Sequence, residues 1–161
     1  MVVIVMGVSG AGKTTVGHAL AKALGWRFVD ADDLHSKANV AKMAAGVPLT
    51  DEDRWPWLEA VRKVMAEALE KGENLVVANS ALKRPYRAKL AVDPEQVRFV
   101  YLDAPREVLA RRLAQRHGHF MPPSLLDSQL STMELPMEAL TVDVTPPPDE
   151  VVKAIRRGLK L

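Results

Sequence analysis

The sequence predicts an α/β domain in which a mostly parallel sheet carries helices on both faces. Three observations predict it. Short β-branched runs alternate with longer helical patterns along the whole chain. The first run, Val2–Met6, is apolar at every position, the pattern of a strand buried on both faces. A glycine-rich turn, Gly7-Val8-Ser9-Gly10-Ala11-Gly12-Lys13-Thr14, then joins that run to a helical segment.

The elements follow in order. A helix is expected over Lys13–Leu24, with Val16, Leu20 and Leu24 on one face and Gly25 as its stop. Arg27–Asp30 reads as a short second strand ending in acids, and Leu34–Ala45 as a helix closed by Gly46. Thr50-Asp51-Glu52-Asp53 has the form of a capping box. The helix it opens runs to about Lys71, with Trp57, Val61, Met65 and Leu69 on one stripe. Leu75–Ala78, Val97–Leu102 and Leu140–Val144 supply three more strands. Pro105–His117, Ser124–Met133 (capped by Ser124) and Asp149–Leu159 read as helices, the first with proline in its first turn. Pro146-Pro147-Pro148 reads as a stiff connector within the domain.

At 161 residues the chain is the size of one domain with a real core. Hydrophobic residues make up 48% and charged residues 26%, the profile of a soluble globular protein. A net charge of +2 gives no electrostatic case for a nucleic-acid binder. There are no cysteines, which excludes disulfides, cysteine-bound zinc and a thiol nucleophile and fits a cytoplasmic protein. The apolar stretch Val2–Val8 is too short to span a membrane and lacks the flanks of a signal peptide.

The glycine-rich turn matches G-x-x-x-x-G-K-[ST] at every defined position. Glycines let backbone N–H groups approach phosphate closely, and the helix N-terminus adds partial positive charge. Lys13 is expected on the β- and γ-phosphates and the Thr14 hydroxyl on Mg²⁺. G-x-G-x-x-G does not occur in this loop, so a dinucleotide site of the Rossmann kind is not predicted.

Asp30-Ala31-Asp32-Asp33 follows the second strand, and ligands collect at the carboxyl ends of parallel strands. Asp32 is the candidate for the group that accepts or orients a hydroxyl proton, and Asp30 for support of Mg²⁺ through water. Asp33 has the alternative role of a helix cap. Arg54, Lys83, Arg87, Arg112 and Arg116 fall after strands or at helix ends, where cations hold an anionic acceptor or neutralise a transferring phosphoryl group. His35 and His119 have no partners at zinc-ligand spacing, and acceptor contacts or polar packing are the readings kept for them. Trp55 and Trp57 read as packing residues.

With these residues in hand, the sequence resembles the bacterial-type gluconate kinases, relatives of shikimate kinase and adenylate kinase. The resemblance is carried by the glycine-rich loop, by Asp30-Ala31-Asp32-Asp33-Leu34-His35, and by Asn39 and Lys42 through Arg54. It continues through Ser80-Ala81-Leu82-Lys83-Arg84, Tyr86-Arg87, Arg112, Arg116, Gly118-His119-Phe120-Met121 and Ser128-Gln129, and so covers nearly the whole chain. It implies a single three-layer P-loop kinase domain over residues 1–161, a five-stranded parallel sheet and a mobile lid at about 112–122. It implies ATP, Mg²⁺, phosphorylation of the gluconate 6-hydroxyl and a homodimer. Gly7, Ser9, Gly10, Ala11, Gly12, Lys13, Thr14 and Thr15 would then hold the phosphates. Asp32, His35, Arg54, Lys83, Arg87 and His119 would face the sugar acid. Arg112 and Arg116 would serve ATP and the transferring phosphate, with Lys13, Asp32 and Arg116 catalytic. Two positions depart from the family pattern: Asn79 stands where cysteine is expected, and Ser36 where proline is expected. A kinase for shikimate or a nucleoside monophosphate, and a nucleotide-binding module without turnover, are the competing readings.

Overall fold

The computed structural model describes residues 1–115, 123–136 and 138–161. Five strands form one all-parallel sheet: β1 (Val2–Met6), β2 (Arg27–Asp30), β3 (Leu75–Ala78), β4 (Val97–Asp103) and β5 (Leu140–Asp143). Their spatial order is β2-β3-β1-β4-β5. The first strand is therefore central, and its backbone is paired on both edges with β3 and β4.

Among the described residues seven α-helices flank the strands: α1 (Lys13–Leu24), α2 (Lys37–Ala44), α3 (Asp51–Glu70), α4 (Arg84–Leu90), α5 (Arg106–Ala114), α6 (Pro123–Thr132) and α7 (Pro148–Leu159). The period-two geometry of β1 divides its side chains between two cores. Val3 and Val5 join Leu20, Leu109, Leu126 and Ile155 under α1, α5, α6 and α7. Val2, Ile4 and Met6 join Trp57, Leu58, Val61, Met65 and Leu90 under α3 and α4. All five β1 residues are fully buried. Each such side chain contributes roughly 1.5–3 kcal/mol by leaving water, so the strand that feeds the glycine-rich turn is firmly anchored. No helix among the described residues is long and apolar enough to cross a membrane.

Several expectations are met in detail. Thr50 and Asp53 form a reciprocal capping box at the start of α3. Gly25 ends α1 in a left-handed conformation. Other boundaries differ for local reasons. The helix expected from Leu34 begins at Lys37, because Ala31–Leu34 form a 3₁₀ turn and His35 and Ser36 are extended. Ser36 caps α2 by accepting from the Asn39 N–H, and Asp30 caps the 3₁₀ turn by accepting from the Asp32 N–H. Asp33 is therefore not a cap. Pro123 begins α6, which places Ser124 inside its first turn. The short α4 has too few apolar positions for a periodic signal and was not expected.

Candidate active site

The turn between β1 and α1 carries two glycines in the left-handed region, Gly10 (φ 87°) and Gly12 (φ 86°). Gly12 precedes α1, whose first turn has no side-chain cap and no acid. The helix thus presents amide donors and its positive dipole end to whatever lies in the loop. Lys13 Nζ folds back and donates to the Val8 carbonyl at 3.2 Å. The Ser9 N–H donates to Gln129 Oε1 of α6 at 2.8 Å.

Thr14 is the second residue of α1, and its Oγ1 donates to Asp30 Oδ2 at 2.9 Å. The other oxygen of Asp30 accepts from the Asp32 N–H at 3.0 Å. A hydroxyl and a carboxylate at this separation suit a hard cation that keeps part of its water shell and takes its other oxygens from phosphate. Thr14 as direct ligand and Asp30 through water therefore fit Mg²⁺.

Asp32 stands between two groups of charges. Partial enclosure in the cleft raises its pKa, Asp30 adds to the rise, and Lys13 and His35 oppose it. Its side chain remains 74% exposed, so solvent still reaches the carboxylate and tempers the shift. The His35 side chain, by contrast, is only 3% exposed. Its ring stacks on Trp57 with centroids 4.1 Å apart and planes at 16°, and Nε2 lies 3.9 Å from Asp32 Oδ1. Burial lowers its pKa; the Asp32 charge opposes this and Arg54 adds to it.

Beyond His35 a second charged group gathers on Tyr86 of α4. Arg54 Nη1 donates to Tyr86 Oη at 3.1 Å, and Tyr86 Oη donates to Asp51 Oδ1 in a short hydrogen bond. Lys83 Nζ lies 3.5 Å from the same Asp51 oxygen. The Arg54 guanidinium and the Lys83 ammonium lie 5.5 Å and 5.7 Å from the centre of the Tyr86 ring. The Tyr86 hydrogen bond, then Lys83 and Arg54, hold the Asp51 carboxyl below its usual range. Burial and the Asp51 bond raise the Tyr86 phenol. Two cations thus face one internal carboxylate, which leaves this corner with a positive excess suited to an anionic ligand. Neither Asp51 nor Tyr86 was assigned a role from sequence. Asp51 reads as one acid of a capping box, and a lone tyrosine carries no signal.

Arg87 belongs to the same helix but is seated differently. It is 2% exposed, its Nε donates to Glu138 Oε1 at 3.1 Å and its Nη1 to the Ala81 carbonyl at 2.9 Å. Its Nη2 is buried without a hydrogen-bond partner among the described residues. Asn79, also buried, accepts from the Ala81 N–H at 3.0 Å through Oδ1, and its Nδ2 has no hydrogen-bond partner among the described residues. Between them Ala81 is held at φ 46°.

On the other side of the loop a cavity of about 280 Å³ is lined by Gly12, Val16, Arg112, Val144, Pro146 and Pro148, among others. Arg112 Nη2 donates to the Val144 carbonyl. The cavity's apolar walls suit a flat aromatic group beside the phosphate loop. Read from sequence, Val144, Pro146 and Pro148 gave only a strand end and a connector. Arg116, His119 and most of the expected lid lie outside the described residues. Among the described residues no cluster of three or more His, Cys, Asp or Glu forms a metal centre. The sheet order also sorts the groups. Asp32, His35, Arg54 and Lys83 follow β2 or β3 on one side of β1, whereas Arg112, Val144 and Pro146 follow β4 or β5 on the other.

A family model described as an AAA domain matches residues 2–136. Gluconokinase from Gluconobacter oxydans is 52% identical over 133 residues, covering 83% of this chain and 75% of that protein. The crystal structure of a gluconokinase from Sinorhizobium meliloti 1021 superposes with a TM-score of 0.89 at 47% identity, over 98% of this chain and 90% of that one. Shikimate kinase from Aquifex aeolicus shares the fold with a TM-score of 0.58 at 20% identity, over 99% of this chain and 96% of that one. Identity at this level over most of both chains, together with a complete phosphate loop in its strand–turn–helix setting, settles the family: the chain belongs to the gluconokinases, within the small P-loop kinases.

Proposed function

We propose that the chain transfers the γ-phosphoryl group of ATP to the 6-hydroxyl of D-gluconate. The carrying observation is the run of charged and polar groups from Lys13 through Asp32 and His35 to Arg54, which joins the phosphate loop to a cationic corner. Gluconate has a carboxylate at one end and the reacting hydroxyl at the other, so it matches that polarity.

In this reading Gly7, Ser9, Gly10, Ala11, Gly12 and Thr15 shape and line the loop that holds the ATP phosphates, and Lys13 turns from Val8 to the β- and γ-oxygens. The base occupies the cavity between Val16, Arg112, Val144 and Pro146. Thr14, and Asp30 through water, would hold Mg²⁺, which would supply charge neutralisation for the phosphates. Arg54 and Lys83 take the gluconate carboxylate, and Asp51 and Tyr86 hold them in place. Arg87 supports the acceptor side from its buried seat against Ala81. Asp32 accepts the hydrogen bond of the 6-hydroxyl. A bond forms from that oxygen to the γ-phosphorus, the bond from phosphorus to the β–γ bridging oxygen breaks, and ADP leaves. The hydroxyl proton passes to Asp32, whose raised pKa suits a base.

A coupled ADP-release assay across gluconate, glucose, shikimate and AMP tests this. Neutral glucose forgoes the charged hydrogen bonds to Arg54 and Lys83, which are left with Asp51 alone, a loss of roughly 3 kcal/mol. Its kcat/KM is therefore expected about 100-fold or more below that of gluconate. Equal kcat/KM for glucose or AMP would overturn the sugar-acid assignment and leave only a P-loop kinase.

A further inference from the structure

His35 faces Asp32, but the proton on its ring is placed by a residue on the far side. Asn39, in the first turn of α2, is 5% exposed, and its N–H is tied to Ser36 Oγ at 3.1 Å. One terminal atom of its amide lies 2.9 Å from the Asp53 carbonyl oxygen. A carbonyl only accepts, so that atom must be the NH₂ nitrogen; the opposite rotamer would set oxygen against oxygen. The same nitrogen lies 3.3 Å from His35 Nδ1. An NH₂ group has two hydrogens, one for each neighbour. Nδ1 must then offer its lone pair, and the ring N–H must sit on Nε2.

We infer that Asn39 is a positioning residue that fixes His35 as the neutral Nε2–H tautomer, a hydrogen-bond donor aimed at Asp32 and the acceptor hydroxyls. What the donor serves rests on the gluconate reading above; the tautomer itself does not. The ring plane is fixed by the same backbone turn. Trp57, on which His35 stacks, donates through Nε1 to the Ala31 carbonyl at 2.7 Å, and Ala31 lies between Asp30 and Asp32. The 3.9 Å from Nε2 to Asp32 Oδ1 is too long for a direct hydrogen bond, and a small shift or an acceptor oxygen closes it.

The consequence is a division of labour. The basic nitrogen of His35 is turned away to Asn39, so His35 does not compete for the hydroxyl proton. Asp32 is the single proton acceptor of the pair, and His35 orients it and the sugar acid. Protonating His35 would put an N–H on Nδ1 against the Asn39 NH₂, so this contact and burial both favour the neutral ring.

Two experiments test the inference. Long-range ¹H–¹⁵N spectra of ¹⁵N-histidine protein, with His35 assigned from its loss in His35→Gln, are expected to show a protonated Nε2 and a bare Nδ1. A protonated Nδ1 overturns the inference whether or not gluconate is the acceptor. In steady-state kinetics with gluconate, His35→Gln keeps an N–H where Nε2 stood and stays within about 10-fold of the parent kcat. His35→Asn puts its amide at the Nδ1 position, and its kcat falls further, by about 10- to 100-fold relative to His35→Gln, at unchanged KM for ATP. Asn39→Asp, which offers an acceptor to Nδ1, falls with it. Equal rates for His35→Gln and His35→Asn would overturn the donor role. A parent enzyme inactive on gluconate would instead overturn the function proposed above and leave the tautomer standing.

Discussion

Replacing Gly10 by alanine isolates the close fit between the phosphate loop and α5. A Cβ at Gly10 would lie 2.9 Å from the Leu109 carbonyl oxygen and 3.1 Å from Leu113 Cγ. The carbonyl belongs to helix backbone and cannot rotate aside. Alanine at φ 87° also carries left-handed strain of about 1–2 kcal/mol. Relieving the overlap adds about 1–3 kcal/mol, so a total near 3 kcal/mol follows after the smaller unfolded-state entropy of alanine is allowed for. At about 2–4 °C per kcal/mol for a chain of this size, Tm falls by roughly 6–12 °C. Gly72 is the control: its φ is 69° and nothing lies within 4 Å of a Cβ there. Gly72→Ala then carries strain alone, about 1 kcal/mol and roughly 2–4 °C. The shift in α5 also moves Arg112, so the KM for ATP rises more than the KM for gluconate. Thermal melts of both variants, with steady-state kinetics of Gly10→Ala, decide it. A Gly10→Ala melt no lower than that of Gly72→Ala, or an unchanged KM for ATP, refutes the reasoning.

Asp32→Asn should lower kcat by about 100-fold or more with little change in ATP affinity. A raised carboxyl pKa means that the ionised form is disfavoured in the fold at pH above it, so the neutral variant should melt no lower than the parent; lost ATP affinity at unchanged kcat, or a fall of several degrees, would remove Asp32 from its role. Arg54→Lys keeps charge but loses the planar fork, and a rise of about 10-fold in the KM for gluconate at constant KM for ATP is expected; equal rises in both constants would count against it. Lys42, then Thr50, hold the Asp53 carboxyl from 3.8 down to about 2. A depressed acid stabilises above its ordinary pKa and loses that contribution as pH falls through its folded value, so Lys42→Met should flatten the fall in Tm between pH 3.8 and about 2; melts across that window that stay parallel to the parent's would refute it.

Much of the fold was legible because its signals are local. The β1 run, the glycine-rich turn, the Thr50 capping box and the alternation of strands with helices each depend on neighbours within a few residues. The phosphate side of the site was legible for the same reason. The acceptor side is assembled from afar: Tyr86 bonds Asp51 across 35 residues, and Arg87 meets Glu138 across 51. A scan along the chain sees Arg87 as one more cation, whereas the fold buries it against a strained alanine. The 3₁₀ turn before α2 escaped in part for the same reason: beside its local Asp30 cap, the Trp57 indole, 26 residues on, holds the Ala31 carbonyl.

The placement of β1 at the centre of the sheet has a consequence for how such a protein changes over time. Residues 30–90 carry the groups assigned to the phosphate-accepting molecule, and residues 103–151, with the shared loop and the start of α1, line the cavity assigned to the base. The two stretches flank the strand and loop they share, and they touch directly where Arg84 and Arg87 meet Glu134 and Glu138. Substitutions in the first can retarget the catalyst to a new small molecule while the donor machinery is inherited intact, and a chimaera joined within β3–β4 is the natural way to retarget it deliberately.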